Sequence, residues 1–265
     1  MQITADNQNG IKRAFVFPGQ GSQNVGMGQE LFDSSRAARA VFQEADDTLG
    51  IKLSKLIFQG PSRKLQDTIN SQPAIMTVSI AALKAWEEFT GSELETPAAL
   101  AGHSLGEYTS MVAAGVVSFA DGVSLVRQRG RLMQQAAKGR PGGMAAILGL
   151  DELATAQICA ETGVELANIN ADDQIVISGD KVAVAQAMDL ASARGARKTI
   201  PLTVSGAFHS SLMQEAKEGL AEAMVAMEFK DPQSPIIANS DCAELRTGEQ
   251  VREELVRGLC QCVQW

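Results

Sequence analysis

An α/β fold with a mainly parallel sheet is predicted for this chain by two patterns. Apolar or small-residue runs at Ala14 to Phe17 and Pro97 to Ala101 each lead into a glycine-containing turn and then into helical periodicity. Longer amphipathic stretches alternate with such runs, the order that gives parallel strands joined by helical crossovers. A third observation adds a smaller unit. After Gly143 the pattern becomes strand, helix, strand, strand, helix, strand, a βαββαβ series of roughly sixty residues that has the ferredoxin-like order. A chain of 265 residues has room for both. The expected division is a discontinuous large α/β domain, residues 1–138 and 205–265, interrupted by a small domain at 139–204.

Taken in order, Ala14 to Phe17 is a buried strand that delivers the loop Pro18-Gly-Gln-Gly-Ser-Gln23. Helical patterns follow over Leu31 to Leu49 and Gln72 to Phe89. Pro97 to Ala101 is the second strand; helices are expected over Glu107 to Val117 and Ala120 to Ala137. Lys138-Gly-Arg-Pro-Gly-Gly143 is rich in breakers and marks a domain crossing. In the small unit, strands are expected at Met144 to Leu150, Val164 to Ile169, Gln174 to Ser178 and Arg197 to Val204. Helices fill Asp151 to Thr162 and Asp180 to Arg194, and Asn170 to Asp173 is a turn. A helix over Ser211 to Met227, with Ser211 and Gln214 spaced as a capping box, a strand at Ile236 to Ala238 and a helix at Glu249 to Leu259 complete the reading.

Composition removes several function classes. A net charge of -8 opposes general binding to nucleic acid or to an anionic membrane, both of which need a positive surface. Residues 1–10 are polar and lack the apolar core of a secretory signal, and no apolar run has the length of a spanning helix. Cys159, Cys242, Cys260 and Cys262 lack C-x-x-C spacing and have only two histidines to join them, which opposes a zinc site. Reduced thiols in a cytoplasmic protein are the simplest expectation.

The chemistry is concentrated in Ala101-Gly-His-Ser-Leu-Gly-Glu-Tyr108. It sets Ser104 between two glycines on a strand-to-helix turn, the spacing of a nucleophile elbow. Gly102 and Gly106 leave out Cβ atoms where strand and helix must pass closely. A serine needs a base, and the chain offers His103 or His209. His103 adjoins Ser104 on a turn, where consecutive side chains diverge, so His209 is the better candidate; a structural histidine under the loop is the plainer alternative. Asp172, Asp173 and Asp180 lie between Ser104 and the late histidine, where a triad acid is expected, but they fall in the small unit's turn and helix start, away from the site, which leaves a backbone carbonyl to orient the imidazole.

On the helix over Ala120 to Ala137, Leu125, Val126, Leu132, Met133 and Ala136 share one face with Arg129, while Arg127 and Arg131 point away. A guanidinium on an apolar face requires an anion, either an internal carboxylate or one belonging to a substrate. The amide of Leu105 is a natural donor to a tetrahedral oxyanion, and the loop around Gln20 is the best source of a second. A phosphate cradle is the rival use of that loop, but the Lys-Ser/Thr of a P-loop is missing.

Phe17-Pro-Gly-Gln-Gly-Ser-Gln23, Gly102-His-Ser-Leu-Gly-Glu-Tyr108, Gln128-Arg-Gly130, Gly206-Ala-Phe-His-Ser210 and Val263-Gln-Trp265 together resemble the malonyl-CoA:acyl carrier protein transacylases of type II fatty-acid synthesis. The resemblance runs over residues 12 to 265 and implies an α/β-hydrolase-like core with a ferredoxin-like insert. It implies Ser104 as acylated nucleophile, His209 as its base, Arg129 as clamp on malonate, and the amides of Gln20 and Leu105 as oxyanion hole. The carbonyl of Gln264 would orient His209, and His103 and Phe208 would contact substrate, Phe208 favouring malonyl over methylmalonyl. The implied partners are malonyl-CoA and an acidic acyl carrier protein, met by a monomer through Lys138, Arg140, Arg194, Arg197 and Lys198, with no metal or redox cofactor. Members of that family continue for several dozen residues past this tryptophan, through a further strand and a Gly-Pro-Gly motif, so the resemblance implies truncation at the C-terminus. A serine hydrolase and a non-catalytic acyl-CoA or carrier binder are the rival readings.

Overall fold

The computed structural model describes residues 12–91 and 96–265, and residues 1–10, read above as no secretory signal, lie outside them. The elements are β1 (Ala14–Phe17), α1 (Gln29–Ser34), α2 (Arg36–Leu49), α3 (Leu53–Gln59), α4 (Ser62–Gln66), α5 (Thr68–Thr90), β2 (Ala99–Gly102), α6 (Leu105–Ala113) and α7 (Phe119–Gly139). They continue as β3 (Gly142–Leu148), α8 (Glu152–Thr162), β4 (Glu165–Ala171), β5 (Gln174–Asp180), α9 (Lys181–Ala193) and β6 (Lys198–Pro201). The last are α10 (Gln214–Met224), β7 (Ile236–Ile237), β8 (Glu244–Leu245), α11 (Gly248–Arg257) and β9 (Val263–Gln264).

Two sheets organise these elements. In the first, of order β1-β2-β7-β8, β2 pairs parallel with β1 and β7. Ala14 lies opposite Ala99 and Phe17 opposite Gly102, so both strands end at the same level and release their loops side by side. The His103 amide donates to the Phe17 carbonyl at 3.0 Å and ties the loops together. The C-terminal ends of parallel strands are where open α/β sheets build their sites. The second sheet has the order β6-β3-β5-β4-β9 and is antiparallel except for the β4/β9 pair. Residues 263–264, expected with the large unit, thus pair with β4 in the second sheet.

Alternation along β3 gives the second sheet two faces. Met144 and Ala146 join the main apolar core, whereas Ala145 and Ile147 pack with Ile158 and Val184 of α8 and α9 in a separate cluster.

Several expected elements differ in their ends. The helix over Leu31 to Leu49 is broken at Ser35, which is extended (φ -118, ψ 127) and whose hydroxyl accepts from the Ala38 amide at 3.0 Å, so it caps α2. Helix α5 runs back through Pro73 to Thr68. A proline there removes one helical hydrogen bond, while the turn packs so closely on α7 that a Cβ on Gly130 would lie 2.6 Å from the Thr68 carbonyl. The capping box expected at Ser211 is absent, because the Ser211 hydroxyl donates to Glu165 at 2.6 Å and residues 211–213 form a 3-10 turn. A capping box is found instead at Thr247 and Gln250, heading α11. Helices α3 and α4 and strands β8 and β9 were not read from the sequence; each has seven residues or fewer and too few positions to establish a period.

Candidate active site

Ser104 sits on the turn between β2 and α6 with φ 51 and ψ -98, a backbone conformation costly for a residue bearing a Cβ. Its neighbours show why glycines are required. A Cβ on Gly102 would lie 1.9 Å from the Gly106 carbonyl carbon, and one on Gly106 would lie 2.2 Å from the Phe17 oxygen. A Cβ on Gly19 would fall 2.6 Å from the His103 oxygen, so the Gln20 loop lies directly against the elbow.

The Ser104 hydroxyl and His209 Nε2 are 2.8 Å apart. On the other side of the ring, Nδ1 lies 2.9 Å from the Gly258 carbonyl and 3.0 Å from that of Gln261. Carbonyls only accept, so Nδ1 carries the proton and Nε2 receives the serine's hydrogen bond. His209 is 6% exposed, and burial, followed by the charge of Arg129, pushes its pKa down to about 4. The imidazole is therefore a neutral base near neutral pH.

Gln264 is not the residue that orients His209. Its amide donates to the Asn239 carbonyl at 2.7 Å, and its own carbonyl faces the Cys242 sulfur at 3.4 Å. Strand β9 draws Gln264 to the second sheet, leaving the turn after α11 to supply the two carbonyls. Sequence reading missed Gly258 and Gln261 because main-chain acceptors carry no side-chain signature.

Arg129 is 2% exposed on α7. Nη1 donates to Gln72 Oε1 at 2.9 Å, Nη2 donates to Ser104 Oγ at 3.1 Å, and the guanidinium carbon lies 4.8 Å from the centre of the Tyr108 ring. Its Nε is buried with no partner, and no carboxylate among the described residues forms an ion pair with it. The Nε and Nη2 edge can thus accept a two-pronged anion. Beneath it, Glu107 is 3% exposed and pushed up to about 8, first by burial and then by the charge of Glu254.

Gln20, His103, Ser104, Arg129, Phe208 and His209 line one cleft of about 570 Å³, and Met144 and Val176 of the second sheet face it. His103 Nε2 lies 2.9 Å from Asn170 Oδ1, and its ring meets Trp265 edge-on at 5.4 Å. Leu105 is fully buried as the first residue of α6, so its amide has no acceptor within the helix. Of the five surface cations named from the sequence, Arg194 pairs with Glu161 at 2.6 Å and Arg197 with Asp173 at 3.3 Å. Lys138, Arg140 and Lys198 are exposed. A second cavity of about 430 Å³, bounded by α5, β2 and α6, holds none of the candidate residues, and Lys84 and Glu87 at its edge neutralise each other at 2.7 Å.

No group of three or more His, Cys, Asp and Glu side chains among the described residues is arranged to hold a metal ion, and no helix among them is long and apolar enough to cross a membrane.

The acyl transferase domain family matches residues 14–265. The malonyl CoA-acyl carrier protein transacylase of Bacillus subtilis is 48% identical over 253 residues, covering 94% of this chain and 78% of that protein. A crystal structure of acyl-carrier-protein-S-malonyltransferase from Bartonella henselae superposes with a TM-score of 0.92 at 41% identity, covering 96% of this chain and 82% of the other. A malonyl-transacylase solved in complex with its type II PKS acyl-carrier protein gives 0.91 at 39% identity, covering 96% and 83%. With its serine, neutral histidine and unpaired arginine on one cleft and this degree of likeness along its length, the chain belongs to the acyl transferase family, among the malonyl CoA-acyl carrier protein transacylases.

Proposed function

We propose that this protein moves a malonyl group from coenzyme A to the phosphopantetheine thiol of an acyl carrier protein, by way of an ester on Ser104, in fatty-acid synthesis. The observation that carries this reading is the meeting of the Ser104 hydroxyl, the neutral His209 ring and a buried Arg129 with no carboxylate of its own. The relatives' names supply the acyl group and the carrier.

In the first half-reaction Ser104 Oγ attacks the thioester carbonyl while His209 Nε2 takes its proton. The amides of Leu105 and Gln20 are the proposed donors to the oxyanion, a contribution of about 3 kcal/mol for each such donor. Collapse breaks the C–S bond, and His209 returns the proton to the departing thiolate. The carrier's thiol then attacks the serine ester by the same path in reverse, with His209 taking the thiol proton and returning it to Ser104. Arg129 holds the malonyl carboxylate through both halves, with Phe208 closing the space beside it against a branched acyl group and His103 lining the approach. The chemistry asks for no cofactor beyond the thioester substrates.

The reading extends to architecture and setting. The strand order β6-β3-β5-β4 and the separate apolar cluster support a ferredoxin-like small domain inserted between residues 138 and 205 of an α/β-hydrolase-like core. Exposed Lys138, Arg140 and Lys198 are proposed to meet the acidic carrier. Four free cysteines support a cytoplasmic, reducing location, where the protein is proposed to act as a monomer.

Incubation with malonyl-CoA should add one malonyl mass to the peptide containing Ser104, and addition of carrier protein should discharge it. A label on another residue overturns the assignment. Rapid release of free malonate without a carrier would make the protein a hydrolase.

A further inference from the structure

One buried residue ties three points of the nucleophile elbow together. Asn239 follows β7, the parallel neighbour of β2, and is 5% exposed. Its Oδ1 accepts from the Ser104 amide at 2.7 Å, and its Nδ2 donates to the Gly102 carbonyl at 2.7 Å. Only this orientation of the side-chain amide pairs both backbone groups, so the two bonds fix it. Asn239 is itself held by its own backbone. Its amide donates to Glu107 Oε1 on α6 at 2.8 Å, and its carbonyl accepts from the Gln264 amide at 2.7 Å.

These contacts surround a strained point of the chain. Gly102 ends β2, Ser104 stands at positive φ, and Glu107 belongs to the first turn of α6. Strained backbone persists only where its surroundings over-determine it. Without the Asn239 side chain, a backbone N–H and a C=O beside the site would lose their partners. The Ser104 amide is also already engaged, and this directs the oxyanion away from it and toward the next amide, that of Leu105.

We infer that Asn239 is a positioning residue: it pins the Ser104 backbone at the angle that aims Oγ at His209 and Arg129, without touching substrate. The inference rests on the reading of Ser104 as the acylated nucleophile. Its failure and that reading's failure can be told apart.

The test is single-turnover acylation by malonyl-CoA, followed as mass on Ser104, in wild type, Asn239→Ala and Asn239→Asp across a range of pH, with thermal melts of each. Asn239→Ala should acylate about 10²-fold more slowly, the scale of a misplaced reacting group, with KM for malonyl-CoA changed less than about threefold. Malonyl and acetyl transfer should fall together, since the carboxylate clamp is untouched.

Asn239→Asp separates positioning from folding. A protonated aspartic acid can accept from the Ser104 amide and donate to the Gly102 carbonyl, whereas the carboxylate cannot donate. Its acylation rate should therefore approach wild type at acid pH and fall as pH rises, adding a limb that wild type lacks. Glu107, Tyr108, Arg129 and His209 share with Asn239 the small cavity beneath Ser104, and Glu254 lies behind Ser240; these groups are common to wild type and variant, so the limb is read from the ratio of the two rates. A folded Asn239→Ala within about twofold of the wild-type rate, far below the loss expected for misplacement, overturns the inference. So does an Asn239→Asp profile parallel to wild type, which decides the matter if the alanine variant does not fold. Wild type that forms no acyl-Ser104 defeats the functional reading and this proposal with it, whereas equal rates in wild type and variant defeat this proposal alone.

Discussion

Arg129 and Glu254 are sealed from solvent to the same degree, 2% and 1% exposed, yet their surroundings are built on different terms. Glu254 is satisfied from within. It accepts from the amide and hydroxyl of Ser240 at 2.9 and 2.7 Å and from Arg257 Nε and Nη2 at 3.0 and 2.6 Å. Arg129 is given one amide oxygen, the hydroxyl of Ser104 and the face of Tyr108, with Nε left without a partner. A buried charge with its counter-ion stabilises a fold through its partners. One without is tolerated at a cost of several kcal/mol, and such a cost persists at sites that bind or react. The difference separates a group that holds the molecule together from one that awaits an anion.

That contrast is open to attack at three levels. The largest effect is expected at Arg129. Arg129→Ala should lower malonyl transfer by about 10² to 10³-fold, the equivalent of removing one partner from a buried charge pair, and spare acetyl transfer. Measuring both acyl groups in one assay decides it, since equal losses would make Arg129 structural. Arg129→Met should meanwhile melt no lower than wild type.

At Glu254 the expectation reverses. Glu254→Ala should cost about 1–3 kcal/mol in urea unfolding, because the Ser240 amide and hydroxyl lose their acceptor. Acyl-Ser104 should still form at the wild-type level. A variant of full stability would mean that Glu254 is as dispensable to the fold as Arg129.

The smallest effect lies in the pH dependence of stability. Glu107 is raised from 4.5 to about 8, so the stability it contributes is complete below 4.5 and is lost as pH rises toward 8. His209 is lowered from 6.5 to about 4, so its contribution is complete above 6.5 and is lost as pH falls toward 4. Between pH 6.5 and about 7.5 only the unfolded histidine still loses its proton, a small gain in stability that partly offsets the loss from Glu107. Wild type should lose at most about 2 kcal/mol between pH 6.5 and 8, with a slope bounded by about 1.4 kcal/mol per pH unit for one proton. Glu107→Gln should flatten that slope, and an unchanged slope would place the titration elsewhere.

How far the site could be read from sequence varied with the kind of group. Ser104 was legible because the elbow's close approaches admit only glycine at 102 and 106, and Arg129 because one charge interrupts an apolar helical face. His209 was reached by elimination between two histidines. Asn239 and Gln72 were missed, since a single amide at a strand end or in a helix has no periodicity to betray it. Likeness of motif points to Gln264, whereas the turn after α11 delivers its carbonyls several residues earlier, at Gly258 and Gln261. In the fold, the long helices and the βαββαβ series were visible because side-chain periodicity accumulates with length. Two-residue strands form only when distant partners arrive, as β9 does when β4 receives it.

By itself the sequence determined which local geometries are possible: a strained serine between glycines, an amphipathic helix carrying one buried cation, and two kinds of alternation for two sheets. Tertiary structure alone decided which groups meet. Parallel pairing of β1, β2 and β7 brings the Gln20 loop, Ser104 and Asn239 to one edge, while α7 and the turn after α11 bring Arg129 and two carbonyls from afar. The physical reason is that periodicity and steric allowance are properties of neighbours in the chain, whereas hydrogen bonds and uncompensated charge depend on what packing places opposite.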